Sequence, residues 1–419
     1  MQDNLRTARP LLYLVFITVM GAFLLCLAEG ALNTTVWLLL GSICFVSALM
    51  YCIIWGFELG DRYIFLIMTM LSLMGVIMLL RLKSEYGTRQ VIWFAIGTLC
   101  FLAVCLVYRS TTLWNKLCAF YVGLSVALFV VTRFAGTVRN GSKNWIMLGE
   151  VSFQPSELIR ILFVLTLAAV FTKPLTVYEG KNLRAVYNTH TGRIAAASAV
   201  SYLYVGFLVL QRDWGQAALF FMIYIVFLLV YGFDKRFLLA NAALAAAGIT
   251  AGYLLTPHIK TRIATWLHPF DDPSGTGYQI TQSLFAIGEG GLAGRGIGSG
   301  SPHYIPEVHS DFIFSALCEE TGVLGGLAII MLYFVLVYRG FKIALSTTNE
   351  FNKAVAMGIS AMFGLQTFII IGGVIKLIPL TGITLPFISY GGSSLVTSLA
   401  ALGILQGISS RGGDIADEI

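Results

Sequence analysis

The sequence predicts an all-α, polytopic integral membrane protein with about twelve transmembrane helices. Hydrophobic residues make up 57% of the 419 and charged residues only 11%, whereas soluble domains average roughly 45–50% and about 25%. A soluble protein of this composition could not cover its surface with polar groups. A membrane helix needs about 20 apolar residues, and segments of that kind follow one another along most of the chain.

The twelve candidate helices are predicted near 10–29, 34–54, 63–80, 91–108, 117–133, 157–173, 194–210, 215–232, 238–255, 311–338, 354–375 and 385–408. The net charge of +6 comes from Lys and Arg in short loops. Basic residues distributed in this way do not form a nucleic-acid-binding patch, so no nucleic-acid partner is predicted. Their distribution instead indicates the topology of the chain in the membrane. The basic loops contain Arg6/Arg9, Arg109/Lys116, Lys173/Lys181/Arg184/Arg193, Lys235/Arg236 and Arg339/Lys342/Lys353.

With an even number of spans, these loops and both termini lie on one side of the membrane, which the positive-inside rule makes cytoplasmic. The loop with Arg81, Lys83 and Arg89 is an exception, because it falls outside. The two longest polar loops, 134–156 and 256–310, are also predicted to lie outside. Long polar loops in a compact membrane protein are where function concentrates.

Acidic residues and histidines concentrate in the second outer loop and just beyond it. Four of the five histidines lie there, and so do seven of the 21 acidic residues: Asp271, Asp272, Glu289, Glu307, Asp311, Glu319 and Glu320. In HPFDDPSGTGYQITQS, two carboxylates precede a proline and glycines typical of a tight turn. Tyr278, Leu284, Phe285 and Ile287 then predict a helix in the membrane interface. Carboxylates held there suit general-base catalysis or cation binding near a lipid head group, although a merely solvated polar loop is the alternative for each single residue.

The next segment, GEGGLAGRGIGSG (288–300), is rich in glycine. It is not a dinucleotide-binding motif, because no predicted strand precedes it. Two interpretations stay open, a mobile hinge and a backbone surface that approaches phosphate or sugar closely.

The first outer loop, VRNGSKNWIMLGEVSFQPSELIR, predicts a turn, a short amphipathic piece, a second turn and a helix start at Pro155. Glu157 and Arg160 are spaced to form an ion pair, and charges at the mouth of a membrane helix also suggest function. Other helix interiors are nearly free of charge, which counts against an ion-coupled carrier. Asp213 lies in the short QRDWG link between two helices, predicted at the outer surface.

Several ordered motifs resemble the SEDS family of bacterial cell-wall polymerases, the FtsW/RodA/SpoVE group. The motifs are RLKSEYGTRQVIW, NGSKNWIMLGEVSFQPSELIR, DDPSGTGYQITQSLFAIGEGGLAGRGIG, YIPEVHSDFIFSALCEETG and IPLTGITLPFISYGGSS. The resemblance implies a ten-span core at 62–410, an extra pair of helices at 1–61 and a cytoplasmic tail at 411–419. Two departures concern single sites: QRDWG stands where the family usually has Gln-Pro-Asp-Leu-Gly, and Arg160 stands where it usually has Lys.

The resemblance implies a peptidoglycan glycosyltransferase in the bacterial plasma membrane, which polymerises lipid II into β-1,4 glycan strands on the outer face. The reaction inverts the anomeric centre and releases undecaprenyl pyrophosphate. Asp272 matches the family's loop aspartate and is expected to be the general base or the ligand of a Mg²⁺ or Mn²⁺ ion, with Asp271 as the less favoured neighbour. A class B penicillin-binding protein is the expected partner. Division, elongation and sporulation remain open as the cellular process.

Supporting contacts to the substrate are expected from a second set of residues: Lys143, Glu157, Arg160, Asp213, Gly275, Tyr278, Gln279, Glu307, His309, Asp311 and Glu320. Two other functions compete with polymerisation. A lipid II flippase would also need a cavity open to lipid, but the acidic outer loop favours chemistry and the charge-poor helices disfavour coupled transport. A non-catalytic scaffold of a cell-wall complex would have no need of the intact DDPSGTGYQ loop.

Overall fold

The computed structural model describes residues 2–30, 32–139, 142–149, 151–172, 190–232 and 234–411. Its α-helices are α1 (Gln2–Glu29), α2 (Thr34–Gly56), α3 (Arg62–Leu82), α4 (Ser84–Ser110), α5 (Cys118–Ala135), α6 (Pro155–Thr172), α7 (His190–Leu210), α8 (Trp214–Tyr231), α9 (Lys235–Leu255), α10 (Pro257–Leu267), α11 (Tyr278–Gly290), α12 (Ile313–Ser346), α13 (Glu350–Val374) and α14 (Gly392–Ser409). Short 3-10 helices lie at Leu113–Lys116 and Pro302–Tyr304. Twelve α-helices, all but α10 and α11, are long and apolar enough to cross a membrane, so the predicted fold class is confirmed.

The helices differ in how much of their surface is buried, and this separates a central group from an outer one. The apolar windows of α3, α6 and α13 are more than four-fifths buried, whereas that of α9 is only 11% buried. Outer helices that remain apolar on their exposed faces are expected when the surrounding solvent is lipid. The exposed side chains Leu244, Ile249 and Leu254 of α9 illustrate this.

Glycines allow close helix packing between α4 and α14. A Cβ atom on Gly403 would meet the carbonyl oxygen of Phe101, and one on Gly407 would meet that of Cys105. In lipid, where apolar side chains gain little by avoiding the solvent, such close backbone approach is a main source of helix association. The cavity-side end of α4 is fixed to the segment before α14 by Gln90, which donates to the Ser389 carbonyl at 3.1 Å.

The N-terminal pair α1 and α2 packs against α3. Gly21 of α1 lies directly against the side chain of Ile77. Two turns further along α1, near its C-terminal end, Ala28 lies against Gly298 in the glycine-rich segment. The extra helices therefore contact both a central helix and the loop at 256–310.

The loop at 134–156 forms a small antiparallel sheet, where the sequence predicted only turns and a short amphipathic piece. Its strands are β1 (Thr137–Arg139), β2 (Ser142–Leu148) and β3 (Val151–Phe153), in the order β1-β2-β3. Thr137 pairs with Trp145, and Leu148 pairs with Val151. The backbone N–H of Lys143 donates to the Gln211 carbonyl at 3.1 Å, so the sheet is attached to the turn between α7 and α8. Strands this short need such tertiary support, which a local pattern does not reveal.

The loop at 256–310 contains the α-helices α10 and α11, and α11 is the helix predicted from the pattern beginning at Tyr278. It packs against α12, and Phe285 remains on the exposed side. The glycine-rich segment closes around a kink in α12 at Gly322, which has φ 72° and ψ −176°. This backbone region is essentially limited to glycine. A Cβ atom at Gly322 would meet the backbone of Leu292 and Gly294, so the segment is packed in place.

Predicted basic residues Lys173, Lys181 and Arg184 lie outside the described residues, as does the tail beyond Arg411.

Candidate active site

A cavity of about 970 Å³ opens at the end of the bundle that carries both large loops. Its walls come from α4, the small sheet, the start of α6, the α7–α8 turn, α10, α11 and the segments 306–311 and 380–393. Its acidic side chains are Glu157, Asp213, Glu307 and Asp311. Its basic side chains are Arg89, Arg212, His258, Arg262 and His309. Ligand sites usually hold a few convergent polar groups in a pocket of this size.

The structure brings six of the predicted site residues into the cavity wall: Glu157, Asp213, Gln279, Glu307, His309 and Asp311. The others do not line it: Lys143, Arg160, Asp272, Gly275, Tyr278 and Glu320. Lys143 points its ammonium group at the carbonyl oxygen of Phe134, 3.4 Å away. Tyr278 begins α11, and Gly275 lies in the turn before it.

Asp213 caps the N-terminus of α8 and collects amide donors from three directions. Its Oδ1 accepts from the backbone N–H of Gln216 at 3.2 Å. Its Oδ2 accepts from Asn144 Nδ2 at 2.7 Å and from Gln154 Nε2 at 3.3 Å. Burial raises the pKa of the Asp213 carboxyl group, and these hydrogen bonds oppose that shift. The sheet and the α7–α8 turn thus hold a carboxyl group whose pKa is raised, as acid–base residues often require.

Glu157 and Arg160 form a buried pair on α6. Arg160 Nη2 lies 2.5 Å from Glu157 Oε2, and both side chains are 1% exposed. Arg160 Nη1 also donates to Gln366 Oε1 on α13 at 2.7 Å, and Gln366 Nε2 donates to the Thr384 carbonyl at 2.8 Å. Since Arg160 does not reach the cavity wall, this geometry favours its structural interpretation. The Arg160 side chain connects α6 to α13 through Gln366 and fixes the position of Glu157 in the cavity wall.

Asp272 lies in an exposed turn at the cavity edge. Its Oδ2 accepts from the backbone N–H of Thr276 at 2.8 Å and from Thr276 Oγ1 at 3.2 Å. Thr276 itself lines the cavity. A Cβ atom on Gly275 would overlap the Asp272 carboxylate, so glycine at this position leaves the carboxylate room to reach Thr276. The carboxylate is thereby held in contact with Thr276, a residue of the cavity wall.

His309 forms part of an aromatic group on the opposite wall. Its ring stacks on Tyr86 with centroids 4.6 Å apart, and Tyr86 also contacts Tyr390. His309 Nε2 lies 3.7 Å from Glu307 Oε2. Glu307 has φ 53°, an uncommon conformation for a non-glycine residue that often marks functional segments.

The cavity also has a basic side, formed by Arg212, His258 and Arg262, which was not predicted from the sequence. Arg262 Nη1 donates to the carbonyl oxygens of Leu380 at 3.1 Å and Thr381 at 3.0 Å. Burial lowers the pKa of Arg262, and the nearby Asp311 and Asp213 oppose that shift. His258 lies one helical turn away, and its pKa is lowered by burial and then by the charges of Arg262 and Arg212. The i, i+4 spacing of two basic residues in PHIKTRIATWL was the signal that could have identified them.

Glu320 lies outside the cavity, where it pairs with Arg81. This ion pair gives a structural reason for a basic residue in the loop that contains Arg81, Lys83 and Arg89. Arg81 Nε lies 3.3 Å from Glu320 Oε1, and Arg81 Nη2 donates to the carbonyl oxygens of Gly298 and Gly300 at 2.9 and 3.3 Å. Lys83 and Arg89 both pair with Glu85. The positive charges of this loop are therefore used locally, to hold the glycine-rich segment and to neutralise an acid.

Among the described residues, no three His, Cys, Asp or Glu side chains are grouped closely enough to hold a metal ion. Any divalent cation would therefore rely on few protein ligands. Asp272 fits that arrangement, because Oδ1 makes no hydrogen bond within the described part of the chain.

Fold and site together define a polytopic membrane protein whose large polar cavity, lined by both acids and bases, opens at one end of the bundle. Residues 61–412 match the family model FTSW_RODA_SPOVE, described as cell cycle protein. The chain belongs to this FtsW/RodA/SpoVE family.

Relatives with a family name share about a third of their residues with the chain. The peptidoglycan glycosyltransferase RodA of Mycobacterium tuberculosis is 35% identical over 366 residues, which cover 83% of this chain and 78% of the relative. Stage V sporulation protein E of Bacillus subtilis is 36% identical, with coverages of 77% and 87%. The probable peptidoglycan glycosyltransferase FtsW of Geobacter sulfurreducens is 32% identical, with coverages of 84% and 96%.

Solved structures share the fold. One belongs to a peptidoglycan synthase complex described as coordinating polymerization and crosslinking, with TM-score 0.69, 26% identity and coverages of 84% and 98%. Another is the rod shape determining protein RodA of Thermus thermophilus, with TM-score 0.62, 25% identity and coverages of 85% and 98%.

Proposed function

We propose that this protein is a peptidoglycan glycosyltransferase that polymerises lipid II into β-1,4-linked glycan strands. The observation that carries the proposal is the polar cavity, which places acids and bases beside the turn that holds Asp272. The names of the RodA and FtsW relatives support the same activity.

In the proposed reaction, the 4-hydroxyl oxygen of one disaccharide forms a bond to the anomeric carbon of another. The bond from that carbon to the diphosphate oxygen breaks, and its electron pair leaves with undecaprenyl diphosphate, so the anomeric centre inverts. Asp272 is proposed to accept the hydroxyl proton as general base. Arg212, His258 and Arg262, which line the cavity together, are proposed to supply positive charge near the leaving group.

The alternative role that we propose for Asp272, in place of general base, is to hold a divalent cation. Mg²⁺ is often bound by one or two carboxylates together with substrate phosphates, and a single exposed carboxylate fits that pattern. Such an ion would neutralise charge on the diphosphate.

The first expected result is that purified wild-type protein converts lipid II into glycan strands, which gel electrophoresis of labelled product would detect. We propose a class B penicillin-binding protein as the partner, supported by the likeness to the synthase complex, and expect its addition to increase strand yield. Absence of strands with and without the partner, while labelled lipid II crosses proteoliposome membranes, would instead identify a flippase.

We further propose that the cavity faces the outside of the plasma membrane and that both termini are cytoplasmic. The basic loops support this orientation through the positive-inside rule. Ser274 is exposed at the cavity end, and Glu350 is exposed at the other end, where α12 meets α13. Ser274→Cys is expected to react with a membrane-impermeant maleimide in intact cells, and Glu350→Cys only after permeabilisation, relative to the unmodified parent chain. The reverse pattern would invert the orientation.

A further inference from the structure

Three amide side chains surround the two buried acids at the cavity floor. Asn144 and Gln154 donate their NH₂ groups to Asp213, and Gln216 Nε2 donates to Glu157 Oε1 at 3.3 Å. An ionised carboxylate only accepts hydrogen bonds. In the structure each amide turns its NH₂ group towards an acid, as an ionised carboxylate requires, and its carbonyl oxygen lies on the other side.

Two of these carbonyl oxygens are buried acceptors that receive no hydrogen bond from the described residues. Asn144 Oδ1 and Gln216 Oε1 make no hydrogen bond within the described part of the chain. Their residues are only 7% and 2% exposed, and both line the cavity. Buried acceptors of this kind are rare in folded proteins because an unmade hydrogen bond costs free energy. A ligand that supplies donors at this place would relieve that cost.

The chemistry of these acceptors selects among the parts of a lipid-linked sugar. An ionised diphosphate carries no hydrogen-bond donor, so it gains nothing from two amide oxygens. Sugar hydroxyl groups and acetamido N–H groups are donors, and a site built from buried acceptors rejects a ligand that lacks the matching donor. The two amide oxygens beside Asp213 and Glu157 therefore fit the sugar, whereas the cations Arg212 and Arg262, which line the same cavity, fit the diphosphate.

We propose that Asn144 and Gln216 are specificity-determining residues that accept hydrogen bonds from hydroxyl or acetamido N–H groups of the disaccharide. The inference rests on the proposed function for the identity of the ligand. It goes further by assigning the sugar to the face of the cavity formed by β2 and the start of α8.

A competition experiment with detergent-solubilised full-length protein tests the assignment. Fluorescent lipid II is displaced by unlabelled lipid II, by analogues that each lack one sugar hydroxyl, by an analogue with an ester in place of the acetamide, and by undecaprenyl diphosphate. The wild type is expected to bind at least one analogue about tenfold more weakly than lipid II. In Gln216→Leu or Asn144→Leu, the ratio of the dissociation constants of that analogue and lipid II is expected to fall to about one. Undecaprenyl diphosphate is expected to bind equally to all variants.

Gln406→Leu is the matched control. Gln406 is also a buried glutamine that donates its NH₂ group, to the carbonyl oxygens of Leu59 and Asp61, and its Oε1 also makes no hydrogen bond among the described residues. It lies in α14, away from the cavity, so this variant is expected to keep the wild-type preference. Gln216→Asn, which withdraws the oxygen by one methylene, is a milder second variant expected to lose the preference.

Retention of the wild-type preference for every analogue in the Gln216 and Asn144 variants would overturn the inference. The experiment measures binding and not strand formation, so it tests the sugar site separately from the proposed polymerase activity. A preference that is lost in the variants, in a protein that makes no strands, would sustain the sugar site and refute only polymerisation. A wild type that binds no lipid II would refute both.

Discussion

Asp272→Asn is expected to lower the rate of glycan-strand formation by about 100-fold or more, the usual contribution of a general base, without changing the fold. The asparagine oxygen can still accept from the backbone N–H and the hydroxyl of Thr276, which Asp272 Oδ2 contacts at 2.8 and 3.2 Å. What the substitution removes is the negative charge and the basicity. Strand formation from lipid II and the thermal unfolding midpoint in detergent are the two measurements.

Two companion variants separate chemistry from structure. Asp272→Ala also removes the contacts to Thr276, so it is expected to be equally inactive and to unfold at a somewhat lower temperature. Asp271→Asn changes the neighbouring exposed acid and is expected to keep most of the activity. An active Asp272→Asn variant would show that the base lies elsewhere, with Asp271 and then Glu157 as the next residues to test.

Arg160→Leu is expected to destabilise the protein by about 3–5 kcal/mol, because it leaves the charge of Glu157 buried without its partner. Arg160 also contacts Gln366 at 2.7 Å, so the loss would loosen α6 from α13. The free energy of unfolding in detergent, or the corresponding shift in the thermal midpoint, measures the effect.

The double variant Glu157→Gln/Arg160→Leu removes both charges and is expected to recover most of the lost stability, because an uncompensated charge is the main cause of the loss. Lys353→Ala is the control, since it breaks an exposed pair with Glu350 that is expected to contribute little. If the double variant is no more stable than Arg160→Leu, the buried charge is not what the arginine compensates.

Some elements were predictable because their signal is local. A membrane helix is specified by the composition of its own residues, and all twelve candidate spans correspond to helices. The helix beginning at Tyr278 was predicted for the same reason. The sheet at 137–153 was not, because its short strands depend on contacts such as that from Lys143 to Gln211, which lies far away along the chain.

The site shows the same division. Glu157, Asp213, Gln279, Glu307, His309 and Asp311 were predicted and do line the cavity, because polar residues beside membrane helices stand out against an apolar background. Arg262 and Gln216 were not predicted, since a polar residue in an already polar loop, or an uncharged amide at a helix start, gives no such contrast. Arg160 and Glu320 were predicted from their charge, but their ion pairs direct them away from the cavity.

The sequence by itself determined that this protein crosses a membrane about twelve times, and its ordered motifs indicated the family. Only the tertiary structure decided which charges meet one another. It paired Arg81 with Glu320 and Arg160 with Glu157, and it turned the amides of Asn144 and Gln216 towards Asp213 and Glu157. The physical reason is one of range: transfer of apolar groups into lipid depends on each segment's own composition, whereas a buried charge or amide takes its role from partners that folding brings from distant parts of the chain.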